Sequence, residues 1–114
     1  MLSYWMQTVN NKTVLEQRDI ERPTPGPKQI LLRLHAASLN RGEFVIGHGL
    51  HKGGQASAIG MEGAGVIAAM GSEVKDFKVG DKVMGRCRGA FAEYATMDSV
   101  EVMLIPTSLS FEQA

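Results

Sequence analysis

"GMEGAGVIAAMG", residues 60–71, decides how the rest of the chain is read. It contains Gly63-x-Gly65-x-x-Ala68, and Asp81 stands 18 positions after Gly63, in the outline of a dinucleotide-binding fingerprint. That fingerprint works where a buried strand turns into a helix whose N-terminus faces a pyrophosphate. Neither flank is present. "GGQASAI" ahead of the glycines is no buried strand, and Gly71 follows Val66 too soon for a helix of ordinary length. The stretch reads instead as β structure, with "GVIAAM" a strand, "GSEV" a turn and "VGDKVMG" a second strand after the Gly80-Asp81 turn signal.

The flanking segments follow the same pattern. "SYWMQTV" and "TVLEQRDIE" are rich in aromatic and β-branched residues around the polar "NNK", which predicts a hairpin. Three prolines and a glycine make "RPTPGPK" a rigid crossing loop. Residues 29–39, "QILLRLHAASL", read as a half-buried strand, and residues 43–46 can support one helical turn before "HKGGQAS", which reads as a flexible loop. "AFAEYATM" and "VEVMLIP" are two further strands, the second ended by Pro106. Short strands at regular spacing with almost no helix predict an all-β barrel or sandwich. Ser110 and Gln113 form the capping-box pattern that opens a helix, and a start signal so late predicts that a larger architecture continues beyond it.

At 114 residues the chain has room for one ordinary domain. Twelve basic and twelve acidic side chains cancel, with no run of one sign, so the field of the protein favours neither nucleic acid nor an anionic membrane surface. No apolar run approaches the roughly 20 residues that span a bilayer, and the N-terminus lacks the layout of a signal peptide, so the chain reads as cytoplasmic. Cys87 is the single cysteine, which rules out an internal disulfide and a four-thiolate zinc site.

Taken in order and spacing, "LNRGEF…GMEGAGVIAAMGSEVKDFKVGDKVMG…GAFAEYATM…IPTSLSFEQA" resembles the N-terminal, GroES-like catalytic domain of the medium-chain dehydrogenase/reductases over essentially the whole chain. Gly60-x-Glu62 with Gly65, Gly71 and Val79-Gly80-Asp81-x-Val83 is a long, gapped pattern, hence more specific than the short fingerprint. The resemblance implies a mainly β, partly open GroES-like barrel over residues 1–114 with one or two short helical turns. This would be the substrate-side domain, without the Rossmann domain that binds the cofactor.

Two departures point within the family. Met61 stands where zinc alcohol dehydrogenases place a histidine ligand, and Asn40 where they place a cysteine, with Glu43 at the following acidic position; a thioether is a poor zinc ligand. The cysteine-rich lobe of those enzymes is reduced to "MGRCRGAF". Both losses are similar to the zinc-independent, quinone oxidoreductase-like branch, whose members transfer hydride from NADPH to quinones or activated carbon–carbon double bonds. Val45 departs from that branch, where an aromatic hydroxyl often stands.

The resemblance implies Asn40 and Glu43 as catalytic candidates, Asn40 and Arg41 as cofactor contacts, NADPH in the complete enzyme, and no metal. Asn40 can orient the nicotinamide or a bound carbonyl, where positioning is the protein's main contribution, or be a turn asparagine. Glu43 can hold an arginine or the cofactor's hydroxyls, or simply match a helix dipole. Glu62, between glycines, reads as a hydrogen-bond acceptor near the cleft rather than a proton carrier. His48 and His51 provide two metal ligands at most, even beside Cys87, and read as solvated loop residues. Arg86 and Arg88 would favour a Cys87 thiolate if the sulfur were exposed; inert packing is the other reading. The expected partners are a small quinone or enone and the missing Rossmann domain, with self-association through the apolar face left for that domain. The isolated chain is expected to be inactive. A non-catalytic binding or assembly module on the same barrel is the alternative.

Overall fold

Asn10 and Asn11 sit at positive φ, 51° and 59°, a conformation asparagine tolerates and a two-residue hairpin turn requires. They join β1 (Leu2–Val9) to β2 (Lys12–Asp19) in the predicted hairpin, paired from Leu2↔Asp19 to Val9↔Lys12. This computed structural model describes residues 1–43 and 55–114. The readings made for residues 44–46, Val45, His48, His51 and most of "HKGGQAS" lie outside the described residues.

The remaining strands are β3 (Gln29–Ala37), β4 (Ser57–Ala58), β5 (Glu62–Met70), β6 (Lys82–Arg86), β7 (Tyr94–Asp98) and β8 (Met103–Leu104). A three-stranded sheet runs β2-β1-β4 and a five-stranded sheet runs β7-β3-β5-β6-β8, every pairing antiparallel. Residues 91–93 stitch the two together: the Tyr4 amide donates to the Phe91 carbonyl at 2.8 Å and the Glu93 amide to the Leu2 carbonyl at 3.2 Å. The sheets do not close on themselves, so the barrel is partly open. Among the described residues, helical structure is confined to 3-10 turns at Arg41–Glu43 and Ser99–Glu101 and the C-terminal turn.

Several boundaries differ from the expectations. β3 stops at Ala37, two residues early, with one more backbone bond to β5 beyond it, from the Ser38 amide to the Glu62 carbonyl at 3.3 Å. β5 starts three residues early, at Glu62. β7 begins only at Tyr94, since residues 91–93 bond across to β1. The last run keeps only Met103–Leu104 as strand.

The core lies on one face of the larger sheet. Ile30, Leu32, Ile67, Val83, Cys87, Ala95 and Met97 form one cluster, with Ile30, Leu32 and Val83 fully buried. Each such aliphatic side chain stabilises the fold by about 1.5–3 kcal/mol relative to exposure. A register shift between Leu31 and Leu32 leaves Ala68 of β5 without a partner on β3, as a bulge does, and Ile30, Leu31 and Leu32 are all buried.

The glycines of residues 60–71 serve close backbone approach. A Cβ on Gly65 would overlap the Arg33 carbonyl oxygen on β3 and lie 2.9 Å from its carbon. Gly60 adopts a φ of +103°, and a Cβ there would sit 2.7 Å from the amide nitrogens of both Ala90 and Phe91. Ala68 is exposed in the middle of β5. No strand-to-helix turn accompanies the fingerprint.

Candidate active site

The last β3–β5 pair is Ala37↔Gly63, so the chain leaving β3 passes directly over Glu62. There the Ser38 hydroxyl donates to Glu62 Oε2 at 2.7 Å. Asn40 Nδ2 donates to Ser38 Oγ at 3.3 Å and to the same carboxylate oxygen at 3.4 Å. A candidate site residue is thereby tied to the acceptor anticipated at Glu62. Hydrogen bonds from Ser38 and then Asn40 hold the Glu62 carboxyl below its ordinary value of 4.5 against the opposing desolvation, and the Arg86 guanidinium adds a smaller lowering effect. Glu62 is therefore ionised at neutral pH.

Beside this cluster lies a cleft of about 410 Å³ lined by Ser38, Glu62, Met84, Arg86, Glu101 and Phe111 among others. Phe111 reaches it from the C-terminal turn, where the predicted capping box forms: the Gln113 amide donates to Ser110 Oγ at 3.2 Å and the Ser110 amide to Gln113 Oε1 at 3.0 Å. The Phe111 ring stacks on His35 of β3 with centroids 4.3 Å apart, which pins the turn against the larger sheet.

Asn40 and Glu62 are brought together; Arg41 and Glu43 occupy the next turn of chain, with Arg41 exposed. Ser38 and Arg86 are site residues that sequence reasoning missed. Cys87 is 1% exposed in the core, its Sγ 3.8 Å from the Thr96 carbonyl oxygen. Burial pushes its thiol up to about 11, so the thiolate that Arg86 and Arg88 would favour at a surface does not form and the packing reading holds. Among the described residues no three His, Cys, Asp or Glu side chains are grouped to hold a metal ion, and no helix is long and apolar enough to cross a membrane.

A family model described as the alcohol dehydrogenase GroES-like domain matches residues 26–107. The synaptic vesicle membrane protein VAT-1 homolog of Homo sapiens is 41% identical over 107 residues, which make up 91% of this chain and 27% of that protein. A quinone oxidoreductase of Pseudomonas aeruginosa is 38% identical over 104 residues, 89% of this chain and 32% of its own length. The solved structure of Escherichia coli quinone oxidoreductase complexed with NADPH aligns with a TM-score of 0.87 at 25% identity, covering 100% of this chain and 36% of that one. The chain thus spans less than half the length of each of these proteins.

Proposed function

This chain belongs to the alcohol dehydrogenase GroES-like domain family of the medium-chain dehydrogenase/reductases, and we propose on that premise that it is the substrate-side domain of a zinc-independent, NADPH-dependent oxidoreductase reducing a quinone or an activated double bond. The observation that carries the reading is Asn40 hydrogen-bonded to Ser38 and Glu62, two residues that line the cleft. A neutral amide occupies the position where zinc relatives supply a thiolate, and Met61 the position of their histidine. The relatives named quinone oxidoreductase and the NADPH complex support the choice of substrate class and cofactor.

The donor set fits one end of such a cofactor. An amide can pair with a carboxamide or a carbonyl, and Arg41 supplies an exposed positive charge next to it. No βαβ unit occurs among the described residues, so the remainder of the cofactor needs a second domain, and the chain alone is inactive. NADPH supplies the hydride when bound. In this reading Asn40 orients the acceptor or the carboxamide, Arg41 contacts the cofactor, and the role left for Glu43 is to hold an arginine or the cofactor's hydroxyls. Glu62, ionised at neutral pH, acts as a hydrogen-bond acceptor and does not deliver the proton that completes reduction. This reading also carries a cytoplasmic setting and self-association, which the exposed Val100, Met103 and Leu104 support.

The test is a fusion of this chain to the cofactor-binding part of the Pseudomonas aeruginosa relative, assayed for NADPH oxidation with a quinone. Replacing Asn40 by Ala should lower kcat/KM by about tenfold or more, the scale of one lost orienting hydrogen bond. Turnover indifferent to Asn40→Ala would refute its role.

A further inference from the structure

We infer that Glu62 is a positioning residue whose carboxylate, with the Ser38 hydroxyl, fixes the orientation of the Asn40 amide. The inference rests on the proposed role of Asn40. An ionised carboxylate can only accept hydrogen bonds, so only the NH₂ end of the amide can face it. The Ser38 proton is committed to Glu62 Oε2 at 2.7 Å, which leaves its oxygen an acceptor for Asn40 Nδ2 at 3.3 Å. Both partners therefore select the same amide orientation and turn Oδ1 away from the carboxylate. Their spacing is set by backbone, since Ser38 and Glu62 are also joined main chain to main chain at 3.3 Å at the end of the β3–β5 ladder.

The charged surroundings keep this arrangement set at neutral pH. Arg86, opposite Glu62 on β6, favours the ionised carboxylate. Glu101 and Glu112 are the other charged side chains lining the cleft. Ser38 and Asn40, which reach Glu62 from the β3 side, are neutral. Protonation would remove the charge and give the carboxyl a donor of its own, which weakens its hold on the amide, and this happens only as pH falls through a folded value below 4.5. The preference for one orientation is thus constant across the neutral range and weakens in acid.

The first measurement is nitrogen-15 NMR of the Asn40 side-chain amide in the whole chain. Its resonances should shift as pH is lowered, with a midpoint below 4.5 that matches the Glu62 carboxyl. Glu62→Gln should abolish that response, and Glu62→Asp, which keeps the charge with a shorter reach, should retain part of it. Unchanged Ala64 and Val66 backbone signals would confirm that each variant is folded. An Asn40 amide indifferent to Glu62→Gln overturns the inference. In the fusion enzyme, Glu62→Gln should lower kcat by about tenfold with KM for NADPH little changed, the size of one lost charge-assisted hydrogen bond. Glu62→Asp should recover part of it. Full turnover in a Glu62→Gln variant that has lost the NMR response overturns the positioning role while leaving the geometry intact. A parent fusion with no turnover refutes the enzymatic reading, and with it the role, whatever the NMR shows.

Discussion

Replacing Gly65 by Ala tests whether the glycines of residues 60–71 are present for strand packing. Gly65 pairs with Leu34 across the β3–β5 ladder, and an added Cβ would overlap the Arg33 carbonyl oxygen. The obstacle is backbone in the centre of a sheet, so it yields only if the ladder opens. Overpacking of this kind costs about 1–3 kcal/mol, and loss of one ladder hydrogen bond adds about 1 kcal/mol. The sum, about 3 kcal/mol, corresponds to a fall in Tm of roughly 10 °C or more for a domain of this size. Gly80 is the control: its φ is +97°, but a Cβ there meets nothing within 4 Å, so Gly80→Ala carries only a left-handed backbone cost of about 1–2 kcal/mol. Urea unfolding followed in parallel by circular dichroism and Trp5 fluorescence measures both. Coincident transitions would justify two-state treatment. A Gly65→Ala variant as stable as Gly80→Ala would refute the packing account.

Cys87 should react with a soluble thiol reagent only after unfolding. Because burial raises its folded value to about 11 from 9.0, the unfolded chain ionises first, and stability should fall as pH rises from 9.0 toward 11; a flat profile there that matches Cys87→Ala would contradict this. Leu32→Ala, at a fully buried position, should cost about 2–5 kcal/mol, whereas Leu15→Ala, 57% exposed on β2, should stay within about 0.5 kcal/mol. Equal effects in urea unfolding would count against the placement of the core.

Signals local to the sequence were legible. The Asn10-Asn11 turn, the proline-rich crossing and the Ser110–Gln113 capping box each depend on neighbours within a few residues, and each forms. What needed distant partners was not. Gly65 answers to Arg33, 32 positions earlier, so a motif scan sees only its spacing. Ser38 has its role because Glu62, 24 residues away, lies beneath it. Cys87 shows how sequence adjacency misleads: just past the end of β6, Arg86 and Arg88 are exposed while the thiol between them is buried. Asn40 was singled out through family resemblance, but its tie to Ser38 and Glu62 required the fold.

NADPH oxidation with a quinone acceptor, compared between the chain alone and its fusion to a nicotinamide-binding domain, bears most directly on the proposed function. The account predicts no turnover by the chain and about 1 per second or more by the fusion, undiminished by a zinc chelator. Turnover at that rate by the chain alone, or a fusion silenced by chelation, would contradict it.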